Sequence, residues 1–140
     1  MTKGYYQNQE ANNEAFVEGW FKTGDVIVYD EDGDIFIVDR IKDMIKVKGY
    51  QVSPTELEDE IRKAPGVADV AVIGVKDDIA GEVPKAFIVP ASKEVSQQEV
   101  EEFLTSRLAK YKQLKGGVVF LDALPKSPTG KVLRKELRLL

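Results

Sequence analysis

The stretch SPTELEDEIRKAPGVADVAVIGV, residues 53–75, decides the fold, because it runs from a capped helix directly into an apolar strand. Ser53, Pro54 and Glu56 stand as N-cap, first-position proline and third-position partner of a capping box. Leu57 and Ile61 fall four apart on one face. Glu58, Asp59 and Glu60 favour the positive N-terminal end of the dipole, and Arg62 and Lys63 suit the other end. Pro65-Gly66 stops the helix, and residues 67–75 read as a strand. Toward the C-terminus, 83–89 gives a second strand after a connection in which Gly81 can turn the chain. SQQE at 96–99 is another capping box, opening a helix with Val100, Phe103, Leu104 and Leu108 inward. A third strand is expected at 117–121, a Pro/Gly-punctuated loop at 124–131 and a short helix at 132–139. Toward the N-terminus, two β-branched runs around the acidic turn DEDG, residues 30–33, make a hairpin over 25–38. A second short pair, 44–47 and 50–52, reverses at Lys48-Gly49. Residues 1–14 are rich in Asn, Gln and Tyr and show no clear periodicity. The expected fold is α+β: a β-hairpin, then a small three-stranded sheet flanked by helices.

Composition narrows the chemistry by what is missing. With no Cys there is no disulfide, thiol nucleophile or zinc–thiolate site, and with no His there is no Ser-His-Asp or Cys-His arrangement and no His-ligated metal. No metal site is expected. A chain of 140 residues is within the range of one domain and buries roughly two-thirds of its unfolded surface. Its apolar runs are short, and none approaches the roughly 20 residues of a membrane helix. The first ten residues lack a basic-then-apolar signal pattern. Net charge is −4, yet residues 39–51 carry a net +2 and residues 122–140 a net +3. Two basic segments in an acidic chain suit a local anionic ligand better than a long polyanion, although two solvated surfaces give the same pattern. Overall acidity, with no aromatic-plus-basic stacking face in the sequence, argues against a nucleic-acid partner.

Three segments are candidates for chemistry. In GWFKTGD, residues 19–25, Asp25 opens a strand after a small, flexible Thr-Gly step, so its carboxylate suits two sugar hydroxyls. Taken alone, a turn that happens to begin a strand is the simpler account of it. In DRIKDMIKVKGYQ, residues 39–51, Lys42, Lys46 and Lys48 supply mobile charges at the junction of hairpin and sheet, and Gly49 lets a ligand approach the backbone. Alternation sets Lys46 and Lys48 on one strand face, and a lysine-protected strand edge is the alternative. LPKSPTGKVLRK, residues 124–135, ends its loop in Gly-Lys, but Pro125 stands where a phosphate loop needs its first Gly, and neither Ser nor Thr follows Lys131. An autonomous P-loop is therefore rejected. What remains is a rigid loop presenting Lys131, or a basic loop ahead of the last helix.

In order and spacing, GYY at 4–6, GWFKTGD at 19–25, Asp39-Arg40, KVKGYQ at 46–51 and PKSPTGK at 125–131 resemble the C-terminal portion of the adenylate-forming superfamily. That superfamily includes acyl-CoA synthetases, 4-coumarate-CoA ligases and beetle luciferases. The resemblance spans essentially the whole chain. KVKGYQVSP at 46–54 resembles the luciferase, coumarate and fatty-acyl branch, whereas acetyl-CoA synthetases and peptide-synthetase adenylation domains usually differ there.

The resemblance implies an enzyme that activates a carboxylic acid with ATP to an acyl-adenylate and passes the acyl group to CoA, its small lid domain rotating between the two half-reactions. On the matching positions, Asp25 and Arg40 would hold the ribose hydroxyls and Lys42 would be the hinge. Lys131 would serve adenylation; Lys46, with Lys48, Gly49, Tyr50 and Gln51, would face the adenylate and CoA tunnel after rotation. Residues 1–38 would be the last piece of the large N-terminal domain, and 39–140 the lid, with its hinge at about 40–43. ATP and Mg2+ would be held mainly by that large domain, the protein's principal partner beside the carboxylic acid and CoA. The chain alone is then expected to be inactive. The expected location is cytoplasmic, or peroxisomal if a C-terminal signal beyond Leu139-Leu140 was removed. The competing reading is a non-catalytic module that binds a nucleotide or a partner through its basic loops.

Overall fold

Ser53 starts its helix as the sequence leads one to expect: its hydroxyl oxygen accepts the Glu56 N–H at 3.1 Å, and Pro54 takes the first position. The reciprocal arm of the capping box is not formed, because the Glu56 carboxylate pairs instead with Lys112. In the computed structural model, which describes residues 2–91 and 95–140, the elements run in the following order. They are α1 (Gln9–Ala15), β1 (Phe16–Val17), β2 (Trp20–Phe21), β3 (Asp25–Tyr29), β4 (Ile35–Arg40), β5 (Ile45–Val47), β6 (Tyr50–Val52) and α2 (Pro54–Arg62), then β7 (Val67–Asp77), β8 (Gly81–Pro90), α3 (Gln97–Thr105), β9 (Val118–Phe120) and α4 (Arg134–Leu137). Asn8 caps α1 by accepting the Ala11 N–H at 3.0 Å, a helix that no periodicity had announced. The capping box of α3 is complete in both directions.

β7 and β8 form a long antiparallel hairpin, paired from Val67↔Pro90 to Asp77↔Gly81. Its turn is closed by the Asp77 carboxylate, which accepts the N–H groups of Ile79 and Ala80 at 3.0 and 2.7 Å. Those two bonds, with the Ala80 bond the larger influence, hold the Asp77 carboxyl below its ordinary value. On its other side β8 pairs with β5 at Val47↔Gly81 and, in parallel, with β9 from Ala86↔Val118 to Ile88↔Phe120. The three strands read at 67–75, 83–89 and 117–121 thus share a sheet. The short 45–52 pair joins it, giving five strands in the order β6-β5-β8-β7 with β9 beside β8.

Alternation along β7 and β8 sends residues to two cores. Val70, Val72, Ala86 and Ile88 meet Leu57 and Ile61 of α2 and Val100 and Leu104 of α3. Ala71, Ile73 and Phe87 meet Leu124 and Leu137 on the opposite face. A strand buried on both faces reads as a continuous apolar run, which is how 70–73 appears in the sequence. By contrast, none of the described residues before Ile45 is buried. Ile27, Tyr29, Ile35 and Ile37 of the β3–β4 hairpin are each at least half exposed. Among the described residues no helix is long and apolar enough to cross a membrane.

One carboxylate ties this exposed segment to the sheet-and-helix body. Asp39, near the end of β4, accepts the Ser53 hydroxyl at 2.6 Å and the Thr55 N–H at 3.1 Å through Oδ2, and the Arg40 N–H at 2.8 Å through Oδ1. Partial burial pushes its carboxyl up, but the bonds from Ser53, Arg40 and Thr55 together outweigh that and hold it below its ordinary value. A depressed carboxyl contributes stability that is fully present above the unfolded value, about 3.9, and is lost as pH falls through the lower folded value. Asp39→Asn is therefore expected to lower the unfolding free energy at neutral pH by about 1.5–3 kcal/mol, the range for hydrogen bonds to a charged group, read as a lower urea midpoint. The two proteins should converge as the medium is acidified below pH of about 3.9. A gap that stayed constant into acid would refute this account of Asp39.

The crossover into β9 passes close to the β7–β8 hairpin at Gly116. Gly116 donates its N–H to the Pro84 carbonyl at 2.8 Å, and a Cβ placed there would lie 2.8 Å from Val75 Cγ2 and 2.9 Å from both Lys85 Cβ and the Pro84 oxygen. Backbone cannot yield as a flexible side chain does, so Gly116→Ala should cost about 1–3 kcal/mol. Urea unfolding at unchanged m would measure it. An unaltered midpoint would show that the crossover relaxes freely.

Candidate functional site

The structure gathers the sequence-derived residues into three groups. In the first, β3 and β4 set Asp25 directly opposite Arg40. Arg40 Nε lies 2.9 Å from Asp25 Oδ1, and Arg40 Nη1 donates to the Thr23 carbonyl at 2.9 Å. The Asp25 N–H in turn donates to the Thr23 hydroxyl at 3.2 Å, and the Ile41 N–H to the Gly24 carbonyl at 2.9 Å. Arg40 is half exposed, and it lines a shallow depression with Thr23, Gly24, Ile41 and Lys42. Lys42 sits in the short 3-10 segment Ile41–Asp43 that separates the hairpin from β5. Asp25, Arg40 and Lys42 are therefore neighbours around one polar surface.

The second group is the β5–β6 hairpin. Lys46 is the exposed residue between buried Ile45 and Val47. It stands opposite exposed Gln51 on the partner strand, so the two side chains share a face. The Lys46 N–H donates to Glu82 Oε2 at 2.8 Å. Lys48 is not a strand residue and does not continue the face of Lys46. It and Gly49 form a two-residue turn with φ of 49° and 85°, the left-handed geometry of a type I′ hairpin, for which Gly is suited and Lys is strained. The Lys48 N–H bonds to the Ala80 carbonyl at 2.8 Å, which holds the turn against the β7–β8 tip. Tyr50 stacks on Tyr111 with ring centres 4.5 Å apart, an aromatic surface that the sequence spacing did not reveal. Lys46 also borders an open recess with Lys76, Asp77, Asp78, Gly81 and Glu82.

The third group is the loop of Lys131. Residues 126 and 132 form an isolated antiparallel bridge, and the Leu133 N–H reaches the Pro125 carbonyl at 2.8 Å. Inside that stem, the Ser127 carbonyl accepts the Gly130 N–H and the Ser127 N–H donates to the Lys131 carbonyl, both at 2.8 Å. The Ser127 hydroxyl lies 3.2 Å from the Lys131 N–H and 2.8 Å from the Thr129 hydroxyl. The result is a tightly bonded tip from which exposed Lys131 projects. Lys46, Lys131 and Lys42 make no ion pair among the described residues.

Several contributors escaped the sequence reading. Glu82 holds the backbone of Lys46 from 36 residues away. Glu58 accepts both the Val72 N–H, at 2.8 Å, and Arg134 Nη2, at 2.7 Å, although Arg134 is 76 residues downstream. Burial pushes the Glu58 carboxyl above its ordinary value despite those partners. Asp69 pairs with Lys126 at 2.6 Å, and although burial raises its carboxyl, the Lys126 and Val70 contacts together bring it below the ordinary range. None of these pairs falls at helical or strand spacing, so no local pattern could have announced them. Among the described residues no three carboxylates converge as a metal cluster would require.

Comparison with known proteins fits this arrangement of exposed lysines on a small sheet. The AMP-binding enzyme C-terminal domain family matches residues 56–131. A protein of Emericella nidulans described as an acyl-coenzyme A synthetase is 54% identical over 99% of this chain and 26% of its own length. The 4-coumarate-CoA ligase 2 of Narcissus pseudonarcissus is 49% identical over 99% of this chain and 24% of its own. The crystal structure of ATP-bound MatB from Rhodopseudomonas palustris superposes with a TM-score of 0.91 at 37% identity, over 98% of this chain and 27% of that one. The chain thus spans about a quarter of the length of the relatives it matches. With the family model matched over residues 56–131 and relatives aligned along nearly its whole length, the chain belongs to the AMP-binding enzyme C-terminal domain family.

Proposed function

We propose that this chain works as the C-terminal part of a longer, ATP-dependent carboxylic acid–CoA ligase, with residues 39–140 as its mobile lid. The observation that carries this reading is the separation of Lys46 and Lys131. Each projects from its own anchored support without an ion pair among the described residues. Residues 1–38 are assigned to the large domain. Supporting this, no described residue of that segment is buried, and a lone two-stranded hairpin is marginal in water. The hinge lies at about 40–43, at Lys42 in the 3-10 turn.

In the first half-reaction a substrate carboxylate oxygen attacks the α-phosphorus of ATP, forming the acyl-adenylate as the bond to pyrophosphate breaks. Two anions must meet, so an ammonium group between them lowers the barrier, and Lys131 is assigned to that place. Asp25 and Arg40 would take the ribose hydroxyls, Asp25 through the oxygen not engaged by Arg40 Nε. In the second half-reaction the CoA sulfur attacks the acyl carbonyl and AMP leaves. Lys46 and Gln51, on one face of β5–β6, would then line the adenylate and the thiol's approach, together with Lys48, Gly49 and Tyr50 of the same hairpin. Two lysines this far apart along the chain serve successive steps only if the lid reorients. The ATP phosphates, Mg2+ and the acyl group belong to the large domain in this proposal, and the chain alone is inactive.

In the full ligase, Lys131→Ala should reduce ATP–pyrophosphate exchange about 10²-fold, a loss of about 3 kcal/mol, while sparing thioester formation from preformed acyl-adenylate. Lys46→Ala should impair the thioester step. If both half-reactions proceed normally in either variant, the alternating-lid reading is wrong. Pyrophosphate exchange by the purified 140-residue chain would contradict its predicted inactivity.

A further inference from the structure

The loop that presents Lys131 is fastened at both of its stems, and neither fastener takes part in the contacts assigned to substrates above. On the leading stem Lys126 Nζ reaches Asp69 Oδ2 of β7 at 2.6 Å. On the trailing stem Arg134, three residues beyond Lys131, reaches Glu58 of α2 at 2.7 Å. The same Glu58 oxygen accepts the Val72 N–H, which lies on the side of β7 away from β8. The clamp therefore crosses the free edge of the sheet and joins α2, β7 and α4. We propose that Glu58 and Arg134 are positioning residues for Lys131, a brace that fixes the height and direction of the lysine for adenylation. This inference rests on the assignment of Lys131 to that half-reaction.

Three features favour positioning over plain stabilisation. The helix α4 is a single turn of four residues without a side-chain cap, too short to hold itself in place. The trailing stem is tied to the leading stem by the 126–132 bridge and the Leu133–Pro125 bond and to the second core through Val132 and Leu137, and the ion pair is its directed link to α2 and β7. Second, Glu58 and Arg134 are largely buried, with side chains 11% and 22% exposed, and a buried ion pair is a poor route to stability because desolvation offsets much of the attraction. Third, Arg134 Nε is buried with no hydrogen-bond partner, a cost that an apolar residue of similar size would avoid. What the pair supplies and an apolar contact does not is direction: an Nη2–H aimed at one carboxylate oxygen that is itself fixed by a strand N–H. Catalysis is sensitive to such placement, since a displacement of about 1 Å can cost about 10²-fold.

The test uses the full ligase with Arg134→Met, which keeps bulk and removes the directed bond, and Glu58→Gln, which keeps an acceptor for Val72. A Lys131→Ala background is included. The expected result is a roughly 10- to 100-fold fall in kcat for pyrophosphate exchange in Arg134→Met, with thioester formation from preformed acyl-adenylate within about twofold of wild type. Glu58→Gln should lie between the two. Amide hydrogen exchange should quicken over residues 127–133 and stay slow in β7 and β8. Because the brace acts through Lys131, adding Arg134→Met to Lys131→Ala should cause no further loss. Equal falls in both half-reactions, or a double variant much worse than Lys131→Ala, would reduce the pair to general stabilisation and overturn the proposal. Should Lys131→Ala itself leave adenylation intact, the lid reading fails and takes the brace with it. A damaging Lys131→Ala beside a harmless Arg134→Met removes the brace alone.

Discussion

Burial of the β7–β8 hairpin on both faces is the constraint on which the other elements depend. Its alternating side chains fill two separate cores, so β8 can neither slip by one residue nor tilt without exposing one of them. Each lysine support is then attached to this rigid hairpin by a few directed bonds. β5 is held to it by the Val47↔Gly81 pairing, the Lys48–Ala80 bond and the Glu82 carboxylate. The Lys131 loop is held through Asp69 and the Glu58–Arg134 pair on the opposite edge. The sheet thus works as a frame whose two edges carry two cations.

Electrostatics follow the same division. The carboxylates nearest the functional segments are committed to structural donors: Asp39 to Ser53 and Thr55, Glu82 to the Lys46 backbone, Asp77 to its own turn, and Glu58 to Val72 and Arg134. Lys46 and Lys131 make no ion pair among the described residues, although Asp78 and Glu82 share the recess that Lys46 borders. Exposed, unpaired ammonium groups retain their full attraction for an incoming phosphate or carboxylate, an advantage in a site that must gather several anions.

The first 44 residues behave differently from the rest. Their apolar side chains, among them Ile27, Tyr29, Ile35, Phe36 and Ile37, stay exposed on a two-stranded ribbon, and their attachment to the body passes through Asp39 and the 3-10 turn after Arg40. Contiguous exposed apolar groups of this kind mark a surface made to be covered. In the proposed enzyme that cover is the large domain, and the Asp39 bonds lie next to the turn about which the lid would move.

Much of the local structure was legible in the residues alone. Ser53-Pro54 and the Ser96–Glu99 box mark helix starts, the acidic DEDG turn marks a hairpin, and unbroken apolar runs mark the buried strands, because each signal acts within a few residues. The motif series from Asp25 to Lys131 was likewise a property of the linear text, as was the exclusion of His, Cys and P-loop chemistry. The reversal at Lys48-Gly49 was legible, but the alternation that set Lys48 on the face of Lys46 ran past the end of the ladder, since alternation says nothing about where a left-handed pair begins. Only the folded chain decided the merger of the short hairpin with the main sheet, the parallel seat of β9, and the partners that aim the lysines. Those depend on contacts spanning 36, 57 and 76 residues, for Glu82, Lys126–Asp69 and Glu58–Arg134 respectively. Such pairings are chosen by the closing of a common core around β8, a condition to which no short window of sequence has access.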